Sequence, residues 1–168
     1  AYIGVNAGKS LHPGLEAQLK WTVFTPFTYP SLALSGNATL ANYHFREFVD
    51  NGTDYSGKNL PGTTKTTWMV AADFKPSEKT GIQLWHRHTG EMPVNDANTS
   101  FTEPYGVTNL EAEYAGQINN LRFELKSGIQ NIFDVSYAAM IAVNAPSFGG
   151  NPSRYYYPGN PRNYYVTL

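Results

Sequence analysis

Apolar and polar residues alternate with a period of two along most of this chain. From Leu15 through Glu16, Ala17, Gln18, Leu19, Lys20, Trp21 and Thr22 to Val23, every odd position is apolar and every even one polar. Leu121 to Ile129 repeats the pattern, with Arg122, Glu124 and Lys126 on one side. Trp68, Val70, Ala72 and Phe74 oppose Thr67, Met69, Ala71 and Asp73, and Leu110, Ala112 and Tyr114 oppose Asn109, Glu111 and Glu113. Successive side chains of a strand point to opposite faces, so these segments predict strands with one wet and one apolar face. Helical spacing is absent. The pattern predicts an all-β, antiparallel, up-and-down arrangement of strands over Ala1–Ala7, Gly14–Phe24, Leu32–Phe45, Thr63–Phe74, Gly81–Gly90, Tyr105–Ala115, Leu121–Asn131 and Arg162–Leu168. Within Leu32–Phe45 the apolar positions change parity before Tyr43, which predicts a bulge.

The connections are of two kinds. Short turns are predicted near Thr25–Tyr29, Lys75–Lys79 and Gly116–Asn119; long polar loops run over Asp50–Gly62, Glu91–Pro104 and Tyr137–Pro161. They alternate, which puts the short turns at one end of the sheet and the long loops at the other. Outer-membrane barrels separate their connections in this way, and several segments have the roughly nine to eleven residues that a tilted strand needs to cross a bilayer. Trp21, Phe24, Phe74 and Tyr114 precede the short turns, the position of an interfacial aromatic girdle. A turn at Gly116–Asn119 sets Glu113 opposite Arg122. Alternation alone leaves the direction of the apolar face open. A soluble eight-stranded barrel like a lipocalin, with an apolar ligand inside, and a small complete eight-stranded outer-membrane protein are the alternatives.

Composition narrows the chemistry. The 168 residues carry 12 Lys and Arg against 13 Asp and Glu, for a net charge of −1, so no basic stripe is available for nucleic acid. There is no cysteine, which removes thiolate metal sites, disulfides and cysteine nucleophiles. No apolar run is long enough for a transmembrane helix. No serine elbow, phosphate loop or dinucleotide fingerprint occurs, and no catalytic residue, metal site or cofactor is expected.

Four motifs in order then resemble one family. Asn6-Ala7-Gly8-Lys9-Ser10 with Pro13-Gly14-Leu15-Glu16-Ala17-Gln18-Leu19, and Asn59-Leu60-Pro61-Gly62-Thr63, are similar to strand and loop motifs in the barrel of TonB-dependent outer-membrane receptors. Ser127-Gly128-Ile129-Gln130-Asn131-Ile132-Phe133-Asp134 with Tyr137, and Arg154-Tyr155-Tyr156-Tyr157-Pro158-Gly159-Asn160-Pro161-Arg162, resemble segments near that family's C-terminus. The resemblance implies that residues 1–168 are about eight strands at the C-terminal end of a 22-stranded barrel. It also implies uptake of a ferric siderophore or similar iron chelate in a Gram-negative outer membrane. The energy would come from TonB through a plug domain and TonB box that this chain lacks. The family's last strand usually ends in an aromatic residue, whereas this sequence ends at Leu168, so the chain is expected to be a piece of a longer protein.

Within that frame the lipid-facing candidates are Leu19, Trp21, Trp68, Val70, Leu110, Ala112, Phe123 and Leu125. The ligand-binding candidates are His44, Arg46, Arg87 and Arg154, as cations for an anionic chelate, with Tyr155 and Tyr156 as stacking surfaces beside Tyr157 and Phe148. His86 and His88 share one face at i and i+2 and are expected to be a solvated lumen or rim pair rather than metal ligands. Asn131 and Asp134 are expected to end a strand through turn-forming side chains.

Overall fold

The computed structural model describes residues 8–24, 28–147, 149–150 and 153–168. The expected strand Ala1–Ala7, Phe148 and the middle of the turn after Phe24 lie outside the described residues. The strands, in order, are β1 (Lys9–Leu11), β2 (Gly14–Thr22), β3 (Ser31–Ala41), β4 (His44–Glu47), β5 (Val49–Asp50), β6 (Thr53–Asp54), β7 (Thr66–Ser77), β8 (Thr80–Thr89), β9 (Tyr105–Ile118), β10 (Leu121–Gln130), β11 (Ala138–Ile141), β12 (Tyr156–Pro158) and β13 (Asn163–Thr167). One antiparallel sheet of seven strands runs in the order β13-β10-β9-β8-β7-β3-β2. The pairs β1–β4, β5–β6 and β11–β12 form two-stranded ribbons at its loop end. The sheet is open, so among the described residues neither eight-stranded closed barrel is formed.

Residues paired across strands share a face, and the register sorts the sheet cleanly. One row is Trp21, Leu34, Ala72, Leu84, Leu110, Ile129 and Tyr164; another is Leu32, Phe74, Ile82, Ala112, Ser127 and Val166. The opposite face carries Glu16, Lys20, Asp73, Glu111, Glu113, Arg122, Glu124 and Lys126. Nothing covers the apolar face among the described residues: Leu19 is 72% exposed, Trp21 59% and Val166 73%. A contiguous apolar face of this kind is one that water-soluble monomers rarely leave open. Buried apolar side chains occur instead at the loop end, in Ala41, Phe45 and Val94.

The structure changes three sequence readings. The hairpin of β9 and β10 turns at Asn119-Asn120, not at Gly116–Asn119, so Glu113 faces Lys126 and Arg122 faces Gln117. Asn119 takes the left-handed conformation that a two-residue turn needs, at φ 53°. Gly116 is instead the seat of the Phe123 ring, which a Cβ at that position would strike. The correction moves the register by an even number of residues, so every side chain keeps its face.

In place of a bulge, the expected strand Leu32–Phe45 is broken. β3 ends at Ala41, whose N–H turns to Lys65 O (2.9 Å), and Asn42 N–H donates to Pro13 O (2.9 Å). His44 Nδ1–H donates to Asn42 O (2.8 Å), and the chain resumes as β4 against β1. Third, β7 runs past Phe74 to Ser77. Its pairing is irregular between Phe74 and Ser77, where Pro76 has no N–H to give the ladder.

Past β10 the chain is held by its own side chains. Asn131, at φ 53° and only 2% exposed, donates from Nδ2 to Val135 O (2.9 Å) and Asn160 O (3.1 Å). Its Oδ1 accepts from Val135 N–H (2.9 Å). Asp134 accepts from Arg162 N–H (2.8 Å). The expected turn roles of both residues are thus seen, and they join the two motifs nearest the end of the sequence. Gly159 lies flat against the Tyr137 ring, and its N–H donates to Tyr137 O (2.8 Å). Gly159→Ala should push Tyr137 off Tyr105, its stacking partner at 4.9 Å, and cost about 1–3 kcal/mol through overpacking. Thermal melting of the intact protein in detergent checks this; an unchanged midpoint would contradict it.

Candidate functional site

The three long connections meet over the loop end of the sheet. Asn98 Oδ1 accepts from Asn59 N–H (2.7 Å), and Asn144 Nδ2 donates to Asp96 Oδ2 (2.8 Å). Tyr156 Oη donates to Phe101 O (3.2 Å). Val94 is fully buried among these segments, and Thr102 nearly so. In the β5–β6 ribbon, the Ser56 hydroxyl and then its backbone N–H hold the Asp54 carboxyl below its ordinary pKa.

Below this crown the polar face of β7–β10 forms a depression of about 320 Å³. Trp85, Arg87, Tyr105, Asn109, Gln130 and Tyr137 are among its lining residues. It offers one permanent cation, several amide groups and an aromatic wall, in which Tyr105 and Tyr137 stack with their planes 30° apart. This set can hold an anionic or hydrogen-bonding ligand with planar parts. Nearer the short turns, the same face carries a charge ladder. Lys126 Nζ lies 3.0 Å from Glu124 and 4.0 Å from Glu113, and Lys75 Nζ lies 3.8 Å from Glu113. These partly exposed pairs contribute well under about 1 kcal/mol each. Tyr165, lying across Gly128, donates a hydrogen bond to Glu111.

Of the six ligand-binding candidates, only Arg87 lines the depression. His44 and Arg46 belong to β4; Arg46 is exposed, with Nε 3.9 Å from Glu47. Arg154 is exposed just before β12. Tyr155 and Tyr156 meet edge to face at 6.2 Å, and Tyr156 is committed to Phe101. All six sit at the loop end, but the structure does not gather them into one cluster. The sequence alone does not nominate Trp85, Tyr105, Asn109, Gln130 or Tyr137 as ligand-binding residues, although Gln130 and Tyr137 belong to a family motif. The signal available was Trp85, a large aromatic at a polar-parity position between Gln83 and Arg87.

The eight lipid-facing candidates all lie on the apolar face, as register requires. A shallow apolar trough of about 780 Å³ crosses that face between Trp21 and Trp68, floored by Gly36, Ala38 and Ala72. His86 and His88 share this apolar face rather than the charged one, which removes the lumen half of the expectation and leaves the rim. Each ring lies 5.2 Å from Trp68, and His86 Nδ1 is 2.8 Å from Thr108 Oγ1. Their even-numbered positions on β8 set this: polar residues occupy apolar parity near the loop end. Among the described residues no three His, Asp or Glu side chains are placed to hold a metal ion.

An open antiparallel sheet of long strands, apolar on one side, charged on the other and looped at one end, defines a segment of a large β-barrel. The chain belongs to the TonB-dependent receptor-like β-barrel family, whose model matches residues 1–132. That family is one of receptors and transporters rather than enzymes, and its members are outer-membrane proteins of Gram-negative bacteria.

Solved structures agree on the fold. The ferric citrate transporter FecA in its unliganded form superposes with a TM-score of 0.75 at 22% identity, over 95% of this chain and 24% of that one. The siderophore receptor PiuA from Acinetobacter baumannii gives 0.70 at 18% identity, over 95% and 21%. The ferric-catecholate import receptor Fiu from E. coli K12, in its closed form, gives 0.65 at 21%, over 95% and 20%. The chain thus spans about a fifth to a quarter of the structures it matches.

Proposed function

We propose that this chain is the C-terminal barrel segment of a Gram-negative outer-membrane receptor that takes up a ferric siderophore or similar iron chelate. The energy comes from TonB, through a plug domain carried elsewhere in the whole protein. The observation that carries the reading is the two-sided sheet. Its exposed apolar face suits hydrocarbon, where burying a Leu, Val or Phe side chain stabilises by about 1.5–3 kcal/mol. Its charged face suits a wet lumen. Leu19, Trp21, Trp68, Val70, Leu110, Ala112, Phe123 and Leu125 then face lipid. Trp21, Phe74 and Tyr114 mark one interface, and Trp68 with its two histidines marks the other.

The chelate is captured at the loop end of the lumen. Arg87 supplies the charge-assisted hydrogen bond, and Trp85, Tyr105 and Tyr137 supply the planar surface. His44, Arg46, Arg154, Tyr155 and Tyr156 belong to the rim. Capture is followed by movement of the plug, for which this segment is the wall.

Two measurements test the proposal in cells expressing the intact receptor as their sole route for the chelate. Uptake of radioactive iron supplied with the host's own siderophores should vanish when TonB is deleted; TonB-independent uptake would contradict the reading. Arg87→Ala should weaken binding of that chelate by about tenfold to a hundredfold, the loss expected for one hydrogen bond to a charged group. Unchanged affinity would remove Arg87 from the site.

A further inference from the structure

The three long loops of a receptor need not act alike, and here the middle one is clasped on both sides. The segment between β8 and β9 holds Val94 fully buried and Thr102 at 3% exposure. On one side Asn98, in the left-handed conformation at φ 54°, makes a two-point clasp with the backbone of Asn59. Its Oδ1 accepts from Asn59 N–H (2.7 Å), and its Nδ2 donates to Asn59 O (3.0 Å). The same Nδ2 donates to Asn95 O (3.1 Å), which fixes the side chain to its own loop. Gly62 N–H adds a bond to Pro93 O (2.9 Å). On the other side Asp96 N–H donates to Asn144 Oδ1 (3.0 Å) and Asn144 Nδ2 returns to Asp96 Oδ2 (2.8 Å). Asn144 N–H donates to Val94 O (2.9 Å).

A loop that opens and closes over a ligand is drawn from the weakly held end of a fold, with few buried contacts and solvated backbone bonds. This middle loop instead has Val94 and Thr102 buried at its base and a part-buried clasp to Asn59, while its Asp96–Asn144 clasp is exposed. Its two clasps are reciprocal, and they sit either side of a buried valine, so loosening one exposes the packing that supports the other.

We propose that the three loops form one preformed ligand-facing surface, and that Asn98 and the Asp96–Asn144 pair are its positioning residues. The inference rests on the capture role proposed above for the loop end. Its physical consequence is that binding does not pay to order these segments separately. Their opening is one cooperative event.

Amide hydrogen exchange of the intact receptor in detergent tests this without any ligand. In Asn98→Ala the Asn59 amide loses its acceptor directly, so the informative amide is that of Asn144, in the far loop. Its exchange should quicken about tenfold or more, and Asn98→Asp, which keeps the acceptor for Asn59, should restore part of the protection. Asn144→Ala approaches from the other side and should quicken exchange at Asn59. Faster exchange confined to the loop directly touched, in both variants, would overturn the proposal. A receptor that imports no iron chelate would defeat the transport reading and leave this exchange pattern standing, so the two failures are distinguishable.

Discussion

Leu84→Arg is expected to cost the barrel about 2–4 kcal/mol of membrane-folded stability, the penalty for an arginine facing lipid near the bilayer midplane. Leu84 lies in the middle of β8, on the apolar face, between Ala72 and Leu110, and is 44% exposed. An arginine there has no short route to either interface. Phe123→Arg is the natural comparison. It shares the face, but it is only three residues beyond the Asn119-Asn120 turn, with its ring over Gly116 and 6.0 Å from Tyr114. At that depth the penalty should fall to about 0–1 kcal/mol. Denaturant titrations of the intact receptor in lipid vesicles separate the two. Equal costs for both substitutions would mean that the apolar face does not span a bilayer in this orientation.

Asn131→Ala is expected to be the most damaging change outside the sheet. One buried side chain satisfies Val135 N–H, Val135 O and Asn160 O, and its own backbone N–H is held by Asn109 Oδ1 at 3.0 Å. Removing the amide leaves these groups without partners at about 1–3 kcal/mol for each one that water cannot reach. The left-handed backbone adds to this, since alanine tolerates it less well than asparagine. A loss of roughly 3 kcal/mol or more follows, with the connection between β10 and β13 loosened first. Asn131→Asp keeps the acceptor for Val135 N–H and should recover part of the loss. Limited proteolysis between Phe133 and Arg162, read beside the melting temperature, checks the order of events; unchanged cleavage and melting would contradict it.

The sheet was legible because its physics is local. Alternation at Leu15–Val23 and Leu121–Ile129 assigns each side chain to a face, and an even-numbered slip in the turn leaves those faces untouched. The turn itself was misread because two glycine roles look alike in sequence. Gly116 resembled a turn residue, while its real task is to make room for Phe123, a contact set by register. The break after Ala41 was equally hidden, since it depends on Pro13 and Lys65, both distant in the chain.

The loop crown was the least legible part. Its asparagines look like ordinary polar loop residues until Asn98 is seen against Asn59 and Asn144 against Asp96. For the candidate site, charge drew attention to Arg87, but the aromatic and amide groups around it come from β8, β9, β10 and the segment after β10. Only the fold brings those together. His86 and His88 show the reverse, in part: their polarity suggested the lumen or the rim, although parity along β8 already assigned them to the apolar face, where only the rim remains.

The central claim is that one face of the seven-stranded sheet meets lipid and the other does not. This chain brings no cysteine of its own, so single cysteines can be placed at successive positions 82 to 87 of β8 in the intact receptor, with any cysteine elsewhere in it replaced, and spin-labelled in lipid vesicles. The account predicts a period of two: collisions with dissolved oxygen high at 82, 84 and 86 and low at 83, 85 and 87. Collisions with oxygen that show no alternation, or that peak at 83, 85 and 87, would contradict it.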